Sequence, residues 1–276
     1  MTDFISSLKK TRKTASDILV AALSHSDGKT EKEIRDTILE TVAAHDELFP
    51  RGWYDPPPGG VAVLSSSSPY RRLQFDTLRE EDYWPGSDGV IGGENVSLVY
   101  ISPVDRKTGM FGDIGLTLYT GSDPAIREHI RSCRDLLIQA AETARAGMKF
   151  SDLYRSSIES FQNQGGKVIG WMTTYHDPLK VNLGHTVPGS YGEPVLAETF
   201  EETKEAIRSR RIYINEVESF EIPETCAFTM EVRLTDAEKR LPNTFFHVIV
   251  SFSSGRKEIL TDFDDIFRTV GMEYMI

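Results

Sequence analysis

A single histidine set between glycines, in Leu183-Gly184-His185-Thr186-Val187-Pro188-Gly189, constrains the fold of this chain more than any other stretch. Apolar, strand-like sequence precedes it. Gly112-Asp113-Ile114-Gly115-Leu116-Thr117 lies upstream, and Phe228-Thr229-Met230-Glu231 and the acidic run Thr261-Asp262-Phe263-Asp264-Asp265-Ile266 lie downstream. Each polar residue stands at the edge of an apolar segment. A fold that buries those segments can therefore draw an Asp, a His, a Glu and an acidic strand into one oxygen-rich metal site with a single imidazole.

The elements between these stretches alternate in type. Residues 4–24 have a helical period with Leu8, Ile18, Leu19, Ala22 and Leu23 on one face. The basic run Lys9-Lys10-Thr11-Arg12-Lys13 in this helix is expected to be a solvated face. Thr30, with Glu33 three residues later, predicts a capping box opening a second helix that reaches about His45. Residues 49–93 are irregular, rich in Trp, Tyr, Pro and Gly, with a short strand at Val61 to Leu64, and suit the wall of a substrate pocket. Ser97 to Ile101 and Ile114 to Tyr119 predict a hairpin-like pair with Asp113 near its edge. Asp123-Pro124 starts a long helix, closed near Gly147, and Phe150 to Gln164 forms another. Residues 198–211 predict a charged helix or insertion. Val217 to Ile222, Phe228 to Glu231, Phe245 to Phe252 and a final strand carrying Asp262, Asp264 and Asp265 complete the sheet. Hairpins mixed with paired helices indicate α+β.

Composition bounds the partners. A formal net charge of −11 over 276 residues argues against nucleic acid and anionic membranes, which need clustered Lys and Arg. No run approaches a membrane span, and the N-terminus lacks a charged segment followed by an apolar core, so a cytoplasmic location is expected. Cys133 and Cys226 are too few for a disulfide scaffold and lie among apolar neighbours, as small buried hydrophobes do.

The passage from Gly112 to Asp152, the Gly-His of 184–185, the Phe-Thr-Met-Glu of 228–231 and the Thr-Glu-x-Glu-Ile at 30–34 resemble the M24 metallopeptidase family, which includes methionine aminopeptidase, Xaa-Pro peptidases and creatinase. The resemblance implies a pita-bread fold, a curved antiparallel sheet covered by paired helices, with residues 1–276 forming the catalytic domain alone. It also implies divalent metal ligands in the order Asp, Asp, His, Glu, Glu. Asp113 matches the second aspartate, His185 the histidine and Glu231 the first glutamate. Asp264 is the nearest match to the last ligand, with Asp262 and Glu258 as alternatives.

Two departures stand out. The first family aspartate, eleven residues before the second, falls on Ser102, and the family's second histidine, seven residues after the ligand histidine, falls on Gly192. One metal, Mn, Fe, Co or Zn, is therefore expected rather than two. Glu231 as base or ligand and His176 as hydrogen-bond donor are the expected catalytic residues. The expected function is that of a divergent enzyme hydrolysing, or eliminating from, a small amide or amino-acid-like metabolite. Two alternatives remain: a conventional aminopeptidase using Asp105 as its first aspartate, and a non-catalytic module binding peptide or protein. A homodimer is what the resemblance implies for assembly.

Overall fold

The computed structural model describes residues 4–165, 167–169, 177, 179, 181–238 and 240–276. Its centre is an antiparallel sheet built from β1 (Val61–Ser66), β2 (Val96–Ile101), β3 (Ile114–Leu118), β4 (Lys167–Ile169), β5 (Cys226–Asp236), β6 (Thr244–Ser253) and β7 (Arg256–Leu260). The strand order is β1-β2-β3-β6-β5-β4, with β7 also paired to β6. β2 and β3 are buried along their whole length, and β5 and β6 nearly so, as strands covered on both faces must be.

Helices come in two packed pairs, α1 (Phe4–Leu23) with α2 (Glu31–Ala43), and α3 (Pro124–Thr143) with α4 (Phe150–Gly165). The first pair covers β1 and β3, and α3 lies on β5 and β6. The local signals explain the helix starts. Thr30 and Glu33 form the reciprocal capping box, and the Asp123 side chain caps α3 with Pro124 in the first turn. α5 (Phe200–Ser209) opens on a second capping box, Thr199 with Glu202. No described helix is long and apolar enough to cross a membrane.

Side chains on strands alternate between faces, and this sorts the sheet chemically. Leu98 and Tyr100 on β2, Glu231 and Arg233 on β5, and Phe245 on β6 point to one face, where they line a cavity. Val99, Val232 and Phe246 point the other way into the main core.

Four sequence expectations are corrected. The last strand ends at Leu260, and the acidic run does not continue it: Asp262 has a left-handed backbone (φ 52°), and Asp264 and Asp265 form the exposed first turn of α6 (Asp264–Val270). Val217 to Ile222 is a loop with one isolated bridge, Glu221 to Lys149, and Val217 is exposed. α3 stops at Thr143 with Ala144 as its cap, so Gly147 (φ 80°) belongs to the following turn. The basic run of α1 is only partly a solvated face. Lys9, Lys10 and Lys13 pair with Glu258, Glu47 and Asp17 at the surface, but Arg12 is fully buried. Arg12 falls on the same helical face as Leu8, Ala15 and Leu19. It reaches under the sheet, donating to the carbonyls of His247 (2.8 Å) and Thr261 (2.7 Å).

The irregular region 49–93 is held by one buried carboxylate. Glu31, fully buried at the start of α2, accepts from Ser65 N (2.6 Å), Gly86 N (3.0 Å) and the Arg72 guanidinium (2.8 and 3.2 Å). Gly89 must be glycine here, because a Cβ would lie 2.2 Å from Glu31 Oε1. Replacing Glu31 by Ala leaves one buried and one partly buried backbone N–H and a partly buried guanidinium without this acceptor. The expected cost is about 3–5 kcal/mol in urea unfolding, and a loss below about 1 kcal/mol would show that the loop is held otherwise.

Candidate metal and active site

His185 is delivered by a segment hydrogen-bonded along one edge of β5. Val187 N donates to Ala227 O (2.8 Å), Thr229 N to His185 O (2.7 Å) and Glu231 N to Leu183 O (2.7 Å). The outer side of the segment is tied to residues 212–214, with Thr186 N donating to Ile212 O and Ile214 N to Gly184 O. Gly184 permits this approach: its φ is +139°, and a Cβ would lie 2.2 Å from the Thr229 carbonyl oxygen. The His185 ring is enclosed by Trp53, Phe111 and Tyr213, with centroids 6.0 to 6.3 Å away. Its Nδ1 lies 2.9 Å from Thr186 O, so Nδ1 carries the donated proton and Nε2 presents a lone pair.

That lone pair faces Glu231. His185 Nε2 stands 3.6 Å from Glu231 Oε1, and His247 Nε2 stands 3.6 Å from Oε2. His247 is directly opposite Glu231 in the β5–β6 register, so both side chains emerge on the same face. Asp113, immediately before β3, completes the group with Oδ2 at 3.9 Å from His247 Nε2. Its Oδ1 accepts from the Trp53 indole N–H at 2.7 Å.

Burial governs the protonation of all four. It pushes the Asp113 carboxyl well above the usual range, with the Glu231 charge adding to the effect and the Trp53 hydrogen bond opposing it. It lifts Glu231 to about 7 against the pull of Arg211. It holds His185 far below its ordinary value, helped by Arg211, and His247 likewise, helped by Arg12 and His185. At neutral pH both imidazoles are therefore unprotonated, in the state that can ligate a metal.

The donor set fits a divalent cation. Both ring nitrogens of His247 are buried without a hydrogen-bond partner among the described residues. Two carboxylates and two neutral imidazoles face one another at separations too long for direct hydrogen bonds. The Nδ1–H of His185 is donated to a backbone carbonyl, an arrangement usual for a histidine that ligates through its other nitrogen. The side chains are not drawn to coordination spacing, and among the described residues no group of three or more His, Cys, Asp or Glu reaches it.

Three of the residues expected from sequence thus meet: Asp113, His185 and Glu231. Asp264 does not join them, because it heads an exposed helix rather than extending a strand. Asp262 lies 3.5 Å from Arg12 Nε, and Glu258 pairs with Lys9 at the surface. His176 lies outside the described residues. Sequence reasoning missed His247, whose signal was a lone polar ring in the apolar strand Thr244–Ser253. Ser102 is buried with its hydroxyl accepting from Tyr54 N (3.1 Å) and donating to Gly60 O (3.3 Å). Asp113, His185 and Glu231 line a cavity of about 490 Å³ whose walls also include Trp53, Tyr54, Phe75, Tyr100 and Phe245.

A pH signature follows for the metal-free protein. With Glu231 at about 7 when folded and 4.5 as its ordinary value, the folded state holds the extra proton. Below pH 4.5 both states are protonated; as pH rises through 7 the buried group must charge, and stability falls. Glu231→Gln removes this loss. After chelation it should exceed wild type by roughly 1–3 kcal/mol at pH 8 and match it near pH 4. Parallel denaturation curves at the two pH values would show the carboxylate to be stabilised by something else.

The comparisons with known proteins bear on this geometry. No curated protein matches the chain significantly. Among solved structures, X-Pro aminopeptidase from Thermotoga maritima MSB8 superposes with a TM-score of 0.64 at 16% identity, covering 93% of this chain and 60% of that one. Prolidase from Pyrococcus furiosus gives 0.64 at 16%, covering 95% and 64%. Methionine aminopeptidase from Rickettsia prowazekii gives 0.65 at 15%, covering 94% and 96%. The chain thus spans less than two thirds of the first two and nearly all of the third. These likenesses establish the α+β pita-bread fold. The model of metallopeptidase family M24 matches residues 6–236. That match spans most of the chain, and the chain belongs to metallopeptidase family M24.

Proposed function

We propose that the chain is a metal-dependent hydrolase or lyase acting on a small amide or amino-acid-like metabolite through one divalent cation, Mn, Fe, Co or Zn. Asp113, His185, Glu231 and His247 would hold it, with His247 taking the part that Asp264 was expected to play. The observation that carries this reading is the pair of unpartnered, buried ring nitrogens of His247, set opposite Glu231 and next to Asp113. A neutral imidazole sealed from solvent without a hydrogen bond is costly unless something binds it. A divalent cation in this position supplies Lewis acidity and activates water.

The chain's own residues supply the rest. Glu231 would serve as ligand or base: its carboxyl, at about 7 without a cation, would be held ionised beside one. The aromatic walls exclude water and orient a ligand of metabolite size, for which about 490 Å³ is ample. A single cation is favoured over two because Ser102 brings a neutral hydroxyl already engaged by Tyr54 and Gly60. The aminopeptidase reading that recruits Asp105 is disfavoured: Asp105 Oδ1 accepts from Lys107 N, Thr108 N and Thr108 Oγ1 in a local turn.

Elemental analysis after reconstitution with each metal tests the reading. Wild type should bind about one equivalent, with His185→Ala and His247→Ala each losing at least ~10-fold in affinity, and Asp264→Ala binding as wild type does. Two equivalents would favour a dinuclear peptidase, and no binding, or binding indifferent to His247, would overturn the assignment.

A further inference from the structure

Trp53 joins the two positions at which the family resemblance places a pair of aspartates. Its backbone N–H donates to Ser102 O (3.0 Å), and its indole N–H donates to Asp113 Oδ1 (2.7 Å). The next residue, Tyr54, gives its backbone N–H to the Ser102 hydroxyl (3.1 Å), which in turn donates to Gly60 O (3.3 Å). The turn from Gly52 to Gly60 is therefore pressed onto Ser102. A Cβ on Gly52 would lie 2.2 Å from Ser102 Oγ, and one on Gly60 would lie 2.9 Å from it. Backbone fills the space against Ser102, and the indole reaches past it to the second aspartate position.

The ring itself is fixed in place. Trp53 is buried, with its ring centroid 5.4 Å from Phe111 and edge-on to His185 at 6.0 Å. The Arg211 guanidinium lies 4.7 Å over it. A cation over the face of an indole polarises the ring and makes its N–H a stronger donor. The oxygens of Asp113 are thereby divided: Oδ1 is turned to the indole, and Oδ2 is turned toward His247 Nε2, 3.9 Å away. To bridge two cations, a carboxylate must turn one oxygen to each. Here one oxygen already faces an N–H with a rigid ring behind it.

We propose that Trp53 is a positioning residue of the metal site: its indole N–H holds the Asp113 oxygen that a second cation would require, so that Asp113 ligates a single cation through Oδ2. An N–H carries only partial positive charge, yet it satisfies the oxygen and keeps the carboxylate in one orientation, as outer partners of ligating carboxylates do. This role rests on the cation site proposed above and adds a second reason, beside Ser102, for its holding one ion.

The test follows the indole N–H groups of the full chain by proton–nitrogen correlation spectra during titration with zinc, a diamagnetic ion, with bound zinc counted by elemental analysis. The Trp53 resonance should lie downfield of that of Trp84, whose indole nitrogen is buried without a partner among the described residues. It should stay there as one equivalent binds and as zinc is taken to excess. Trp53→Phe identifies the resonance; if that variant fails to fold, Trp84→Phe and Trp171→Phe identify it by elimination. Benzothienylalanine at position 53 keeps the shape of the ring and removes only the N–H. It and Trp53→Phe should each cost about tenfold or more in zinc affinity. A resonance that moves to the position of Trp84 when zinc binds, a second tightly bound equivalent, or a benzothienylalanine variant that binds zinc as wild type does would each overturn the proposal. Failure of the two readings looks different: no bound zinc removes the metal site and this role with it, whereas one bound zinc with a displaced indole removes the role of Trp53 alone.

Discussion

Two carboxyl groups carried into an apolar interior set the terms for the rest of this structure. Asp113 is almost completely buried and Glu231 nearly so, and the charge of Glu231 adds to the burial that disfavours ionisation of Asp113. Taking a carboxylate out of water costs several kcal/mol unless it is paired. The surroundings meet that cost in parts: the Trp53 indole N–H holds one oxygen of Asp113, the charge of Arg211 favours ionisation of both groups, and Arg12 approaches from beneath β6. None of these is a direct ion pair with Asp113 or Glu231 among the described residues. The residual demand for positive charge is what a divalent cation satisfies.

The second structural dependence is on β5. It carries Glu231 at its middle, takes His247 from β6 across one edge, and takes His185 from the 183–187 segment across the other. Gly184 is the point where that segment comes closest, against the Thr229 carbonyl. Three of the proposed ligands are thus positioned by backbone hydrogen bonds of one strand, the kind of rigid support a metal site requires. The helix pairs stabilise this sheet from its other face, leaving the alternate face to form the cavity.

Within family M24 the donor set here is altered at two places. A neutral serine stands where the resemblance calls for the first aspartate, and an imidazole faces Glu231 where a further carboxylate was expected. Both changes remove negative charge, which accords with one cation rather than two.

Much of this was legible from the chain itself because it depends on near neighbours. Helix starts at Thr30 and Asp123, the β2–β3 pair and the placement of Asp113 just before β3 follow from capping chemistry, glycine position and period-two burial, and the Gly-His and Phe-Thr-Met-Glu motifs single out His185 and Glu231. What the chain could not declare is what depends on register and on packing between distant segments. His247 lies opposite Glu231 only because β5 and β6 pair as they do, and a shift of one residue would turn its ring into the core. Arg12 looked like one more charge in a basic run until the packing of α1 placed its face under β6. Asp264 carried the right chemistry at the wrong element, since a left-handed turn at Asp262 ends the strand path and starts a helix. Local sequence determined most of the elements, and its motifs picked out three of the four candidate site residues; tertiary structure alone chose the fourth, because which side chains meet across a sheet is decided by pairing and not by any residue's own neighbours.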